Sequence, residues 1–333
     1  SLAAFPILTL RVPLPHRPPH GKRESIANRV LGYFLILLTA AILLVYLWSN
    51  AVHPPVLADT IFKWSGPARG LGPVKGFALR LSAFYYAFAD TDLGWKFLWS
   101  ALNLLPWLAL FGVLYGAGRG ALAAAGAALA PAVSFSALFW GSSGQPYLFL
   151  AGVIMLIWAG LEDRDGAGFV MVWPLVFIAA WSGPFWSALA AIPLATAYAD
   201  PARDPRQRGL AATAAAVLAA YWVSRLHPAW PLVRDIVPYY ARDAWNTARY
   251  GPLAYLTAGL LFRSLFASRK HVLAFTGIVA ILSVFALELA SRKQSDLQVL
   301  LHIDGNQMFL CVVLIAWFLA VLPAPHHMRA RAE

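Results

Sequence analysis

The chain is a succession of apolar runs broken by short polar or Gly/Pro-rich stretches, and this alternation limits the fold more than any motif in it. The first run, LGYFLILLTAAILLVYLW, carries no charged residue from 31 to 48. As an α-helix it is close to the ~20 apolar residues that cross a bilayer core. Further runs follow at about 95 to 117, 120 to 140, 146 to 161, 168 to 182, 184 to 199, 209 to 224, 252 to 267, 271 to 290 and 306 to 323. Composition agrees: of 333 residues 60% are hydrophobic and 12% charged, where soluble chains hold roughly 45–50% and 25%. Too little polar surface exists to cover a soluble core of this size. A disordered chain, a disulfide scaffold and almost any water-soluble enzyme are excluded. The expected fold is all-α: a polytopic integral membrane protein of about ten transmembrane helices.

Several middle runs are near or below the usual minimum for a straight span, so short, tilted or neighbour-buried helices are expected there. Two of them meet at the tight turn Trp181-Ser182-Gly183-Pro184. The first run is too long for a signal-peptide core and no small-x-small site closes it, so it is expected to remain as a span. The chain then divides into a basic cytoplasmic segment 1–29, a transmembrane helical domain 30–323 and a basic cytoplasmic tail 324–333.

Basic residues set the expected orientation. With the amino terminus inside, every short inside connection holds at least one Arg: Arg119, Arg164, Arg203 with Arg206 and Arg208, and Arg269. This is the positive-inside pattern, and an even number of spans returns the carboxyl terminus to the same side. The +11 balance is then explained by cytoplasmic loops and anionic lipid rather than by nucleic acid. Basic runs interleaved with aromatics are absent, and no nucleic-acid partner is expected. The expected location is the cytoplasmic (inner) membrane of a bacterium. The single Cys311 permits neither an intrachain disulfide nor a Cys-based metal cluster.

Orientation sorts the loops. The long ones, about 50–94, 225–251 and 291–305, all fall outside, and long charged loops on a helical scaffold are where sites sit. The first contains Asp59, Asp90 and Asp92, with Phe77, Leu81, Phe84, Tyr85 and Phe88 at helical spacing. That stripe predicts an interfacial amphipathic helix, whose plain reading is a membrane anchor. Asp90-Thr91-Asp92 is an Asp-x-Asp, a spacing at which two carboxylates can share a divalent cation. No cofactor is otherwise required and no metal cluster is expected.

The second loop offers Arg234, Arg242 and Arg249 with Tyr239 and Tyr240. Guanidinium groups bind phosphate bidentately, and aromatic faces stack on sugars. The plain alternative is local pairing of Arg234 with Asp235 and Arg242 with Asp243, beneath an aromatic belt. Near the third loop, Glu288 stands at the outer end of a span, where an i,i+4 pair with Arg292 is the simple account. The GAGRGALAAAGAALAP stretch is expected to be close helix packing rather than a nucleotide cradle. No hydrolase elbow, phosphate-binding Gly-Lys-Ser/Thr loop, zinc-protease motif or dinucleotide fingerprint occurs. Ionisable residues are almost missing from the span interiors, against a pump or proton-coupled transporter.

A first span, a long outside loop with acids and an interfacial helix, and then short Ala/Leu/Trp-rich helices resemble the GT-C superfamily of polyprenyl-phosphate-sugar-dependent glycosyltransferases. The segment NLLPWLALFGVLYGAGRGALAAAGAALAPAVSFSALFWGSSGQPYLFLAGVIMLIWAGLE carries this pattern, over about 30 to 200. The resemblance implies transfer of a sugar from a lipid-phosphate donor to an acceptor outside the membrane. Asp59, or Asp90 with Asp92, would be the base, and the outside arginines would hold the donor phosphate. Two departures stand against it. Asp90 and Asp92 lie far beyond the first span, and no large carboxy-terminal domain follows the spans. The competing expectation is a non-catalytic membrane subunit packing against other integral subunits and lipid.

Overall fold

The structure, a computed structural model, describes residues 25–50, 100–117, 120–134, 136–138, 147–162, 167–201, 203–226, 238–250, 253–265, 269–291 and 305–322. Among these residues the fold is all-α, without a strand. The helices are α1 (Ile26–Asn50), α2 (Leu105–Gly116), α3 (Ala121–Leu129, tightening into a 3-10 turn over Ala130–Val133), α4 (Tyr147–Glu162), α5 (Ala167–Trp181), α6 (Pro184–Ala199), α7 (Pro205–Val223), α8 (Leu253–Leu265), α9 (Arg269–Ala290) and α10 (Gly305–Val321). Each coincides with one of the apolar runs. Helix α1 is long and apolar enough over Ile26–Tyr46 to cross a membrane; six of the other apolar helices are shorter.

Local chemistry sets the ends. Between α5 and α6, Gly183 adopts φ 128°, a conformation costly to any side chain. Ser182 donates to the Ile178 carbonyl at 2.7 Å and Ser187 to the Gly183 carbonyl at 3.0 Å. Pro184 opens α6 at a position whose N–H would be unpaired anyway. At α7, Asp204 caps the first turn, accepting from Arg206 N at 3.0 Å and Gln207 N at 3.2 Å, again with Pro at the first helical position.

Helices α4 and α10 form the centre. In α10 every side chain from Gly305 to Leu319 is buried, and in α4 every one from Leu150 to Trp158. Helix α1 lies at the periphery on α3, with Val30, Phe34, Leu37, Ile42 and Val45 facing outward. An ideal Cβ on Gly32 would stand 2.4 Å from the Ala121 backbone, so glycine is required for this contact. Ala121, Ala124, Ala125 and Ala128 are fully buried. The Gly/Ala stretch is therefore a packing surface, as its composition predicts.

Candidate functional site

Contacts between elements define two ends of the bundle. At the proximal end, where α1 begins, Tyr33 meets Phe111 and Tyr115 edge-on, and Gly277 fits beneath Trp158 and Leu319. Arg203, buried in the turn before α7, donates to the Leu161 carbonyl at the end of α4, reaches Gln207 at 3.3 Å and lies over the Phe169 ring. A cation there satisfies a terminal carbonyl and complements the helix dipole.

The distal end is different in kind. Ser100, Asn103, Ser134, Ser136, Ser182, Ser187, Asp243, Asn306 and Gln307 are all buried at or beside it, with Thr257 just inside α8. Among the described residues Arg203 is the only buried polar side chain at the proximal end. Distal polar groups knit neighbouring helices together: Phe149 N–H donates to Asn103 Oδ1 at 3.2 Å, and the Cys311 thiol donates to the Tyr147 carbonyl at 3.2 Å. Trp222 Nε1 donates to Glu288 Oε2 at 3.1 Å, joining α7 to α9. In low-dielectric surroundings such groups are stable only when hydrogen-bonded.

The described part of the connection between α7 and α8 sits on this layer. Residues 238–244 are helical, the chain turns at Trp245 and Asn246, and Thr247–Tyr250 form one further helical turn. This reversal returns Arg249 and Tyr250 to Asp243. Arg249 Nη1 lies 2.9 Å from Asp243 Oδ1, and Tyr250 donates its hydroxyl to Asp243 Oδ2 at 3.3 Å. Ser134, at the end of α3, donates to the Arg249 carbonyl at 2.9 Å. Tyr240 packs on Phe285 of α9 and Phe309 of α10, with ring centroids 4.9 and 4.8 Å away, and Tyr250 on Phe309 at 5.5 Å.

Burial, reinforced by the Asp243 carboxylate, pushes the Tyr240 and Tyr250 phenols far above their ordinary range. Both are neutral hydrogen-bond donors at physiological pH. Partial burial opposes the Arg249 charge, but Asp243 and a hydrogen bond with Tyr239 outweigh it and raise its pKa.

The candidate residues are thus partly placed. Asp59, Asp90, Asp92 and Arg234 lie outside the described residues, as do the interfacial helix and Arg292. Arg242 and Tyr239 are exposed, Tyr240 is enclosed among aromatic rings, and Arg249 is held by Asp243 rather than left open. The local pair expected between Arg242 and Asp243 is replaced by one six residues apart. Glu288 takes an indole donor from α7, a partner that spacing along the sequence does not reveal. Asn306, Gln307, Ser134 and Asp243 complete the layer; their only sequence signal is polarity at the rim of an apolar run. Among the described residues no group of three or more His, Cys, Asp or Glu could hold a metal ion. Comparison of the chain with protein-family models, with curated proteins and with solved structures gives no match.

Proposed function

We propose that this chain is a GT-C-like membrane glycosyltransferase, moving a sugar from a polyprenyl-phosphate donor to an acceptor on the extracytoplasmic face of a bacterial inner membrane. In this reading α1 to α10 are the spans, both termini are cytoplasmic, and the distal end is the outer face. The observation that supports it is the collection of buried polar side chains at that one end, directly beneath the loop bearing Arg242 and Arg249. Ordinary lipid-facing bundles have no need of such a layer, since unpaired polar groups there are costly.

The chemistry requires a base to take the acceptor hydroxyl proton and cations to hold the departing phosphate. Asp59, Asp90 and Asp92 belong to the loop that joins α1 to α2, which begins at the distal end. One of them is the base, a role that requires hydrogen-bond reach to the acceptor hydroxyl. A divalent cation shared by Asp90 and Asp92 is the alternative use of that pair. Arg234, Arg242 and Arg249 neutralise the phosphate. The test is transfer from a polyprenyl-phosphate sugar by Asp59→Asn, Asp90→Asn and Asp92→Asn. Loss of about 100-fold or more is expected in at least one, the scale of general-base catalysis; full activity in all three removes the catalytic reading.

A second reading has its own support. The outward face of α7 presents a stripe of Gly209, Thr213, Ala216 and Ala220 beside the exposed Leu210, Val217 and Val223. Small residues allow another helix to approach closely in lipid. A non-catalytic subunit of a larger membrane assembly would use that face. Co-purification with a stoichiometric partner, without bound lipid-linked sugar, favours it.

A further inference from the structure

Arg249 is held at its backbone by Ser134 and at its guanidinium by Asp243 and Tyr239, yet much of its side chain stays exposed. Its carbonyl accepts from Ser134 of the α3 end at 2.9 Å. Its guanidinium is gripped through Nη1 by Asp243 at 2.9 Å. Its neighbour Tyr250, fully buried on Phe309, donates to the same carboxylate. The Asp243 side chain is only 8% exposed, whereas that of Arg249 is 43% exposed.

A surface arginine ordinarily holds no single geometry, because its long side chain loses entropy on being fixed. Here the restraint comes from the nearly buried Asp243 and from Tyr239, while 43% of the Arg249 side chain remains exposed. The carboxylate is the more enclosed member of the pair, so solvent reaches the guanidinium more readily than it reaches Asp243. Arg242 is exposed and has no acidic partner among the described residues.

We propose that Asp243 is a positioning residue that orients Arg249 so that the guanidinium N–H groups its neighbours leave unused take one phosphate monoester, an inference that rests on the lipid-phosphate reading above for the source of that phosphate. A planar fork held in place matches phosphate oxygens bidentately, which a mobile lysine does not. Asp243 touches no substrate; it acts through Arg249. Asn at this position keeps the size and one acceptor for Tyr250 but removes the charge that grips the guanidinium.

The experiment titrates the full-length protein in zwitterionic nanodiscs with farnesyl phosphate, inorganic phosphate and farnesol. Wild type is expected to bind farnesyl phosphate and not farnesol. Asp243→Asn and Arg249→Gln are expected to weaken binding about tenfold or more, the scale of a lost charge-assisted hydrogen bond. Asp243→Glu should regain part of the loss, which a purely structural role does not predict. Arg208→Gln, at the proximal end, should bind as wild type. If inorganic phosphate binds with the same dependence on Asp243 and Arg249 but farnesyl phosphate is no tighter, the anion subsite stands and the lipid-carrier reading falls. If neither phosphate binds, or if Asp243→Asn binds as wild type, the inference is overturned, whatever the transfer assay gives. Should Asp243→Asn fail to fold, half-exposed Arg249→Gln carries the test, and wild-type affinity in that variant overturns it.

Discussion

The two ends of the bundle solve the same problem with opposite materials. At the proximal end helices meet through glycine, alanine and stacked rings, and Arg203, the one buried charge there among the described residues, closes a helix terminus. At the distal end serines, amides and the Asp243 carboxylate are buried, and Tyr240 packs there on Phe285 and Phe309. Close packing alone holds helices together, so the proximal end contains the minimum a stable bundle needs. The distal end contains more than that minimum, and the proposed function rests on that surplus. Stability and ligand binding should therefore separate when the two ends are perturbed in turn.

The largest loss of stability is expected from Arg203→Met, which strands the Leu161 carbonyl and removes the stack on Phe169. About 2–3 kcal/mol should disappear, read as a lower midpoint of thermal unfolding in detergent, with farnesyl phosphate affinity unchanged. Gly32→Val should follow at about 1–3 kcal/mol, because the branched side chain drives α1 from Ala121; crosslinking between cysteines placed on α1 and α3 would detect the separation. Gly183→Ala forces a side chain into a conformation only glycine adopts readily, and about 1–3 kcal/mol is expected from unfolding midpoints.

Tyr250→Phe sharpens the distal side of the comparison. It keeps the ring on Phe309 but removes one hydrogen bond to Asp243, for about 0.5–1.5 kcal/mol. Unlike the proximal variants it should also weaken phosphate binding, measurably but less than Asp243→Asn. The smallest effect at neutral pH is a titration. Tyr240 and Tyr250 keep their protons in the fold while the unfolded chain releases them near pH ~10. Their contribution is fully present below that pH and is lost as pH rises above it, by up to about 1.4 kcal/mol per pH unit for each phenol. Unfolding midpoints at rising alkaline pH would show it, with a shallower decline in Tyr250→Phe.

The helices were legible because burial in a helical bundle leaves apolar runs with charged breaks. The 184–199 run matches α6 residue for residue, since proline and an Asp-Pro pair punctuate both of its ends. The turn at Gly183 was legible for the same reason. Pairings across the distal end were not. Asp243 chooses Arg249 over its neighbour Arg242 because the reversal at Trp245–Asn246 brings the later residue back. No local spacing rule contains that reversal. Trp222 and Glu288 stand 66 residues apart and meet only because α7 and α9 end at the same level. Arg203 looked like a marker of the cytoplasmic side, and its helix-closing contact depends on where α4 stops.

The central place of α10 has a consequence for assembly. The most enclosed helix is also the last of the ten to leave the ribosome. Until it arrives, the earlier helices surround a gap with Tyr147, Tyr240 and Ala127 lacking the contacts that Cys311, Phe309 and Trp317 supply. The bundle is completed from within rather than wrapped around a finished core. A nascent chain halted before residue 305 lacks its axis, which makes synthesis of α10 a condition for closure rather than its aftermath.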